Sequence, residues 1–280
     1  MPGSKLLFPL FALSILLGCY RFLRQRDVPV LLASLGPLLL LSAPHIFLHS
    51  TVGFANLPFT TYLVLGTLWC VDGLFENKPR SLLMGGIMLV LAGWTRPEGI
   101  GFVLIIQTSL VLIYWLSGHK GLRIMPLFIP TLLIVGVWLI FGAEHLSNDQ
   151  VWGVTRVFRK EIAEGSLAIE ALASILTFVA KRAVTLTVWG LLFPLILILL
   201  IWRSRNLLPR HNPITFSFLC VSILALLVPI GLFFVASYSR PNFPFILEIN
   251  FDRALFPAIF LGMVVALLAV NKKLMSAVSG

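Results

Sequence analysis

Five consecutive residues, Thr95-Arg96-Pro97-Glu98-Gly99, interrupt a stretch that is otherwise apolar from 82 to 94 and from 100 to 116. An arginine or a carboxylate costs about 2.5–3.5 kcal/mol at the centre of a membrane helix unless it is paired or turned toward a cavity or ligand. Arg96 and Glu98 are therefore candidate site residues. The guanidinium is planar, permanently charged and bidentate toward phosphate, so the chemistry open to Arg96 is anion binding. Glu98 can orient it, and a structural Arg96–Glu98 pair or a plain tight turn is the alternative. Pro97 has no N–H and disfavours helix at Arg96, which predicts a break in the helix there. Such backbone is tolerated at membrane depth only where protein buries it or it lines a wet cavity.

Two further groups can join that site. His45 and His49 are four apart and share a face on a helix, which is also the spacing of two metal ligands. No Glu lies between them and no third ligand is nearby, so they read as interfacial or hydrogen-bonding histidines, and no metal or other cofactor is supported. Asn56, in the turn that follows, brings an amide capable of holding an acceptor. Asp252 and Arg253 stand just before the last apolar run. As direct neighbours they cannot face each other, though either can pair across a cavity, and a helix cap by Asn250 or Asp252 with Arg253 snorkelling is the structural alternative.

The elements that position these residues follow from composition. With 280 residues, 59% hydrophobic, 11% charged and a mean hydropathy of +0.99, the chain is far more apolar than a soluble domain. It reads as an all-α, polytopic helical membrane protein. Apolar runs at roughly 5–23, 29–49, 57–75, 81–95, 98–117, 123–143, 183–202, 214–236 and 254–271 give nine expected spans, most near the ~20 residues that cross a ~30 Å hydrocarbon core. The segment before Arg96 is short, so Arg96 and Glu98 are expected below the outer surface.

The formal charge of +10 lies mostly in short turns: Arg21, Arg24 and Arg26; Lys78 and Arg80; Lys120 and Arg123; Arg203, Arg205 and Arg210; Lys272 and Lys273. All five fall on one side if nine spans alternate. The positive-inside rule makes that side cytoplasmic, with the C-terminus inside and Met1 outside. The dispersal of the charge excludes a nucleic-acid patch.

No repeat, low-complexity tract or flexible linker divides the chain, so residues 1–280 read as a single transmembrane domain. An outer-facing region is expected at about 144–182. Within it Val151, Val154, Phe158 and Ile162 fall on one helical face and Arg156, Arg159 and Lys160 on another, the pattern of a helix lying in the membrane interface. That helix either rests on anionic membrane lipids or helps hold a lipid phosphate. Cys19, Cys70 and Cys220 are scattered through apolar runs without metal or disulfide spacing. Met1 to Lys5 leads into a full-length run with no cleavage pattern.

The order of Gly53-Phe54-Ala55-Asn56-Leu57-Pro58, a span, a basic turn, Leu91-Ala92-Gly93-Trp94-Thr95-Arg96-Pro97-Glu98-Gly99 and a late Asp252-Arg253-Ala254-Leu255-Phe256-Pro257 resembles the GT-C membrane glycosyltransferases. The nearest branch is that of dolichyl-phosphate-mannose protein mannosyltransferases and bacterial aminoarabinose-transferase-like enzymes. The resemblance implies sugar transfer from a polyprenyl-phosphate donor to an acceptor on the outer face of a bacterial plasma membrane. It implies that Arg96 and Arg253 bind the lipid phosphate, with Asn56 and His49 on the substrate side.

Two departures qualify this. Family members often carry Asp where this chain has Asn56, and asparagine cannot act as a base. The family's acidic first outer loop, with the span before it, has no counterpart, so the resemblance implies an N-terminally truncated chain whose catalytic residue is not identified. Two other classes remain open: a non-catalytic subunit that binds the lipid carrier, and a transporter or flippase, for which a second interrupted segment in the later half is expected.

Overall fold

The computed structural model describes residues 4–51, 56–96, 99–119, 124–145, 167–183, 185–189, 192–202, 212–239, 251–252 and 254–271. All regular structure among them is helical. In chain order the helices are α1 Ser4–Gln25, α2 Val30–Ser42, α3 Pro44–Thr51, α4 Asn56–Phe75, α5 Pro79–Thr95, α6 Gly99–Leu116, α7 Met125–His145, α8 Leu167–Ala183, α9 Leu186–Trp189, α10 Leu192–Trp202, α11 Pro213–Ser239 and α12 Phe256–Val270.

Four described stretches, Leu7–Gln25, Asn56–Phe75, Gly99–Leu116 and Pro213–Gly231, are long and apolar enough to cross a membrane. This is the signature of a membrane protein. Among the described residues four single helices meet this test, or five spans if the bent pair α2–α3 is counted as one, against nine expected from the whole sequence. The difference has local causes. The run 29–49 turns by 80° between α2 and α3. Ala43 there is extended, with φ −69° and ψ 118°, because Pro44 disfavours helix in the residue before it and offers no N–H to continue the ladder. In the run 183–202 the described helices are the short α9 and the 11-residue α10, and α12 has 15 residues, each below the length of a simple crossing. The interfacial helix expected from Val151 to Ile162 lies outside the described residues, whereas α8 shows that the C-terminal part of the 144–182 region is helical.

The bundle is built most tightly around α4 and α5. A methyl group at Gly85 would come 2.5 Å from Cys70 Sγ and 2.8 Å from Cys70 N. One at Gly66 would meet Leu89 N at 2.9 Å. Water-driven burial does not separate helix from lipid, so close backbone approach at small residues, with its dispersion contacts, is what pairs helices. Between α6 and α7 the glue is polar: buried Gln107 donates through Nε2 to Leu127 O at 3.0 Å and to Thr131 Oγ1 at 2.8 Å. Cys19 and Cys70 are buried and Cys220 is half-buried.

Contacts fix which helix ends lie together. At one end Arg26, after α1, meets Asp72 near the C-terminus of α4, with Nη2 to Oδ1 at 3.3 Å. Asn271, after α12, donates to Arg26 O at 3.0 Å. Phe22 packs edge-on to Phe218 of early α11, centroids 5.1 Å apart, and His119, after α6, lies 5.4 Å from Phe75. The described residues bearing or flanking the five basic turns therefore gather at this end. The N-terminus of α4, the C-terminus of α5, α3 and the start of α12 form the other.

Candidate functional site

At that second end, α5 stops at Thr95, whose hydroxyl donates back to Ala92 O at 2.7 Å. Arg96 is extended, with φ −146° and ψ 141°, as the following proline requires. Gly99 N then donates to Arg96 O at 2.9 Å and opens α6. Pro97 and Glu98 lie outside the described residues. The turn is tight because two glycines face each other across it: a methyl at Gly99 would come 2.8 Å from both Gly93 Cα and Gly93 O.

This turn aims Arg96 at the first residue of α4. Its Nη1 donates to Asn56 Oδ1 at 3.0 Å across 40 residues of sequence. Its Cζ sits 5.5 Å from the ring centroid of buried Phe59, one turn along α4, within the range of a cation–π contact. Arg96 itself is half-buried. The amide and the aromatic ring fix the direction of this half-buried guanidinium. An anion is its natural complement.

His49 is fully buried on α3, with the His45 ring 4.8 Å away and edge-on, as the four-residue spacing predicts. Phe256 at the start of α12 packs on both, at 5.1 Å from His49 and 5.9 Å from His45, and Trp189 of α9 is 5.9 Å from His45. The site residues thus form two groups, Asn56 with Arg96 and His49 with His45. Arg253 and Glu98 lie outside the described residues. Among the described residues no cluster of three His, Cys, Asp or Glu side chains is placed to hold a metal ion.

Asp252 does not cap α12, whose N-cap is Leu255 with no side-chain bond. Its carboxylate is clasped by Arg182 at the end of α8: Nε reaches Oδ1 at 2.9 Å and Oδ2 at 2.8 Å, and Nη2 reaches Oδ2 at 2.6 Å. Asp252 is 2% exposed and Arg182 28%. Sequence reading left Asp252 open between pairing across a cavity and capping a helix, and did not find Arg182, 70 residues away. The available signal was Lys181-Arg182 ending an amphipathic helix, which reads as readily as headgroup contact. Both oxygens of Asp252 accept from a cation, so this carboxylate is a fixed counter-ion and not a poised base.

No family model, curated protein or solved structure matches the chain.

Proposed function

We propose that the chain is a GT-C-like membrane glycosyltransferase component that binds a polyprenyl-phosphate-linked sugar at the Arg96 end. In this reading the chain passes the membrane nine times, the Arg26 end faces the cytoplasm with the C-terminus, and the Arg96 end faces the outside of a bacterial plasma membrane. Arg96 receives the lipid phosphate, Asn56 orients Arg96 and meets the sugar or acceptor, and His49 backs the site. Glu98 orients Arg96, and Arg253 joins it on the lipid phosphate. No described carboxylate at this end is a general base, so the assignment is to donor binding, and transfer needs an acid or base from elsewhere.

The observation that carries the reading is the Arg96–Asn56 hydrogen bond at 3.0 Å. It joins two of the three runs on which the resemblance to the transferases rests, far apart in sequence and independent of each other in hydropathy. The test is binding of polyprenyl phosphate to the full chain in lipid nanodiscs. Loss of a charge-assisted hydrogen bond of about 1.5–3 kcal/mol predicts roughly 10- to 100-fold weaker binding in Arg96→Ala, with a smaller loss in Asn56→Ala. Wild-type affinity in Arg96→Ala removes the proposal.

A second reading, a transporter of a lipid-linked anion, draws on the bent pair α2–α3. Paired broken helices are how secondary transporters build a mid-membrane site. Movement of labelled polyprenyl phosphate between leaflets of proteoliposomes, lost in Arg96→Ala, selects this reading over a transferase.

A further inference from the structure

At the opposite end from Arg96, a cleft of about 380 Å³ opens between α1, α4 and the start of α5. We propose that it binds one membrane phospholipid carrying a net negative charge, with the phosphodiester at Arg21 and the first methylenes of the tails along Leu17 and Trp69. The volume lies within the range of small-molecule pockets.

Its lining is graded. On α1 the cleft is bordered by Leu17, Arg21 and Gln25, each one helical turn from the last and so on one face. On α4 it is bordered by Leu65, Trp69 and Asp72, at the same three- to four-residue spacing. Both walls therefore pass from apolar to polar toward the end of the bundle where the basic turns gather. A phospholipid has this polarity profile at the boundary between tails and headgroup. Leu17 is 56% exposed and Trp69 36%, so the cleft opens sideways onto the apolar surface from which a lipid would enter. Tryptophan is enriched at that level of a membrane protein.

The charges favour an anion. Arg26 Nη2 lies 3.3 Å from Asp72 Oδ1 and 3.6 Å from Glu76 Oε1. Lys78 Nζ lies 3.7 Å from Asp72 Oδ2 and bonds Glu76. Two cations thus meet two carboxylates, and the Arg26 guanidinium is further held 3.6 Å over the Phe22 ring. Arg21, exposed on the cleft lining, stands outside that balance. One residual positive charge matches the single negative charge of a phosphodiester, and Gln25 beside it supplies an amide donor. A zwitterionic lipid would bring a second cation toward a cluster whose carboxylates are already engaged.

The test is native mass spectrometry of the full chain, delipidated in detergent and titrated with phosphatidylglycerol or phosphatidylcholine. The expected result is one retained phosphatidylglycerol per chain, preferred roughly 5- to 10-fold over phosphatidylcholine. Arg21→Glu abolishes or reverses that preference, while Arg80→Glu, at the same end but off the cleft, keeps it. Leu17→Trp fills the apolar part and weakens both lipids. Thermal unfolding of each variant confirms that these exposed substitutions leave the fold intact. Equal retention of the two lipids by the wild type overturns the proposal, as does an unchanged preference in Arg21→Glu. An Arg80→Glu effect equal to that of Arg21→Glu reduces it to diffuse attraction and also overturns it. Displacement by excess glycerol phosphate would show a free-phosphate site instead of a lipid site. Because the cleft and Arg96 lie at opposite ends, loss of one site leaves the other measurable.

Discussion

The Arg182–Asp252 pair allows an asymmetric test of what holds α8 to the start of α12. Truncating Arg182 leaves the Asp252 carboxylate, 2% exposed, without the three contacts of 2.9, 2.8 and 2.6 Å that offset its desolvation. Breaking a buried pair from one side costs about 3–5 kcal/mol. Arg182→Ala should therefore cost about 3–5 kcal/mol.

Truncating Asp252 instead leaves an arginine that is 28% exposed and has a long stem on which to reach water. Asp252→Ala should cost only about 1–2 kcal/mol. The double variant should then resemble Asp252→Ala and not the sum, because no buried charge remains. Equilibrium unfolding in mixed detergent micelles, followed by helical circular dichroism, reads all four proteins. Equal single-variant costs or additivity in the double variant would each refute the argument.

Three further outcomes are expected. Gly85→Val, whose first carbon alone comes 2.5 Å from Cys70 Sγ, should destabilise by about 1–3 kcal/mol or more, whereas Gly136→Ala, with nothing within 4 Å, should change stability by less than about 0.5 kcal/mol in the same unfolding assay. Gln107→Leu removes its bonds to Leu127 O and Thr131 Oγ1 but leaves a well-shaped apolar side chain, so the cost should be about 0.5–1.5 kcal/mol, and a loss above 3 kcal/mol would mean that the network does more than join α6 to α7. The hydrogen bond from Lys78 holds the Glu76 carboxyl below its ordinary value and raises the Lys78 amine above its own. A depressed carboxyl stabilises the fold above its unfolded pKa of about 4.3 and loses that contribution as pH falls through the folded value. The stability difference between wild type and Glu76→Gln should therefore be present at pH 7 and vanish toward pH 3, and a difference that grows on acidification would contradict the pairing.

Hydropathy made the helices legible and left their partners hidden, and the reason is physical. Leu13 is 51% exposed and Ile15 fully buried on the same turn of α1, yet both are apolar because lipid and protein interior reward the same side chains. Periodicity, which separates faces in water, has little to act on here. The Gly66 and Gly85 contacts between α4 and α5 were therefore silent in the sequence, as was the choice of Arg182 as partner for Asp252. Charge and proline carry more information, since they are costly in lipid and need a local explanation. Arg96 was identifiable as oriented by a break, and the extended Arg96 is what Pro97 demands. His45 and His49 were identifiable as a pair because four-residue spacing is geometry and not hydropathy. The 80° bend at Pro44 was missed, because the run 29–49 was read as one span on its hydropathy alone.

The two ends of the bundle use arginine in opposite ways. Arg26 is buried and bound by two carboxylates, and burial pulls its guanidinium below the ordinary value while Asp72 and Glu76 draw it back up. That arrangement ties the turn after α1 to α4 and, through Asn271, to the end of α12. Arg182 is likewise committed to Asp252. Arg96 instead donates to the Asn56 amide and lies over the Phe59 ring, two contacts that fix its direction at the start of α4. In the proposed reading, an anion delivered from the membrane meets a guanidinium that is already oriented, which lowers the ordering cost of binding it.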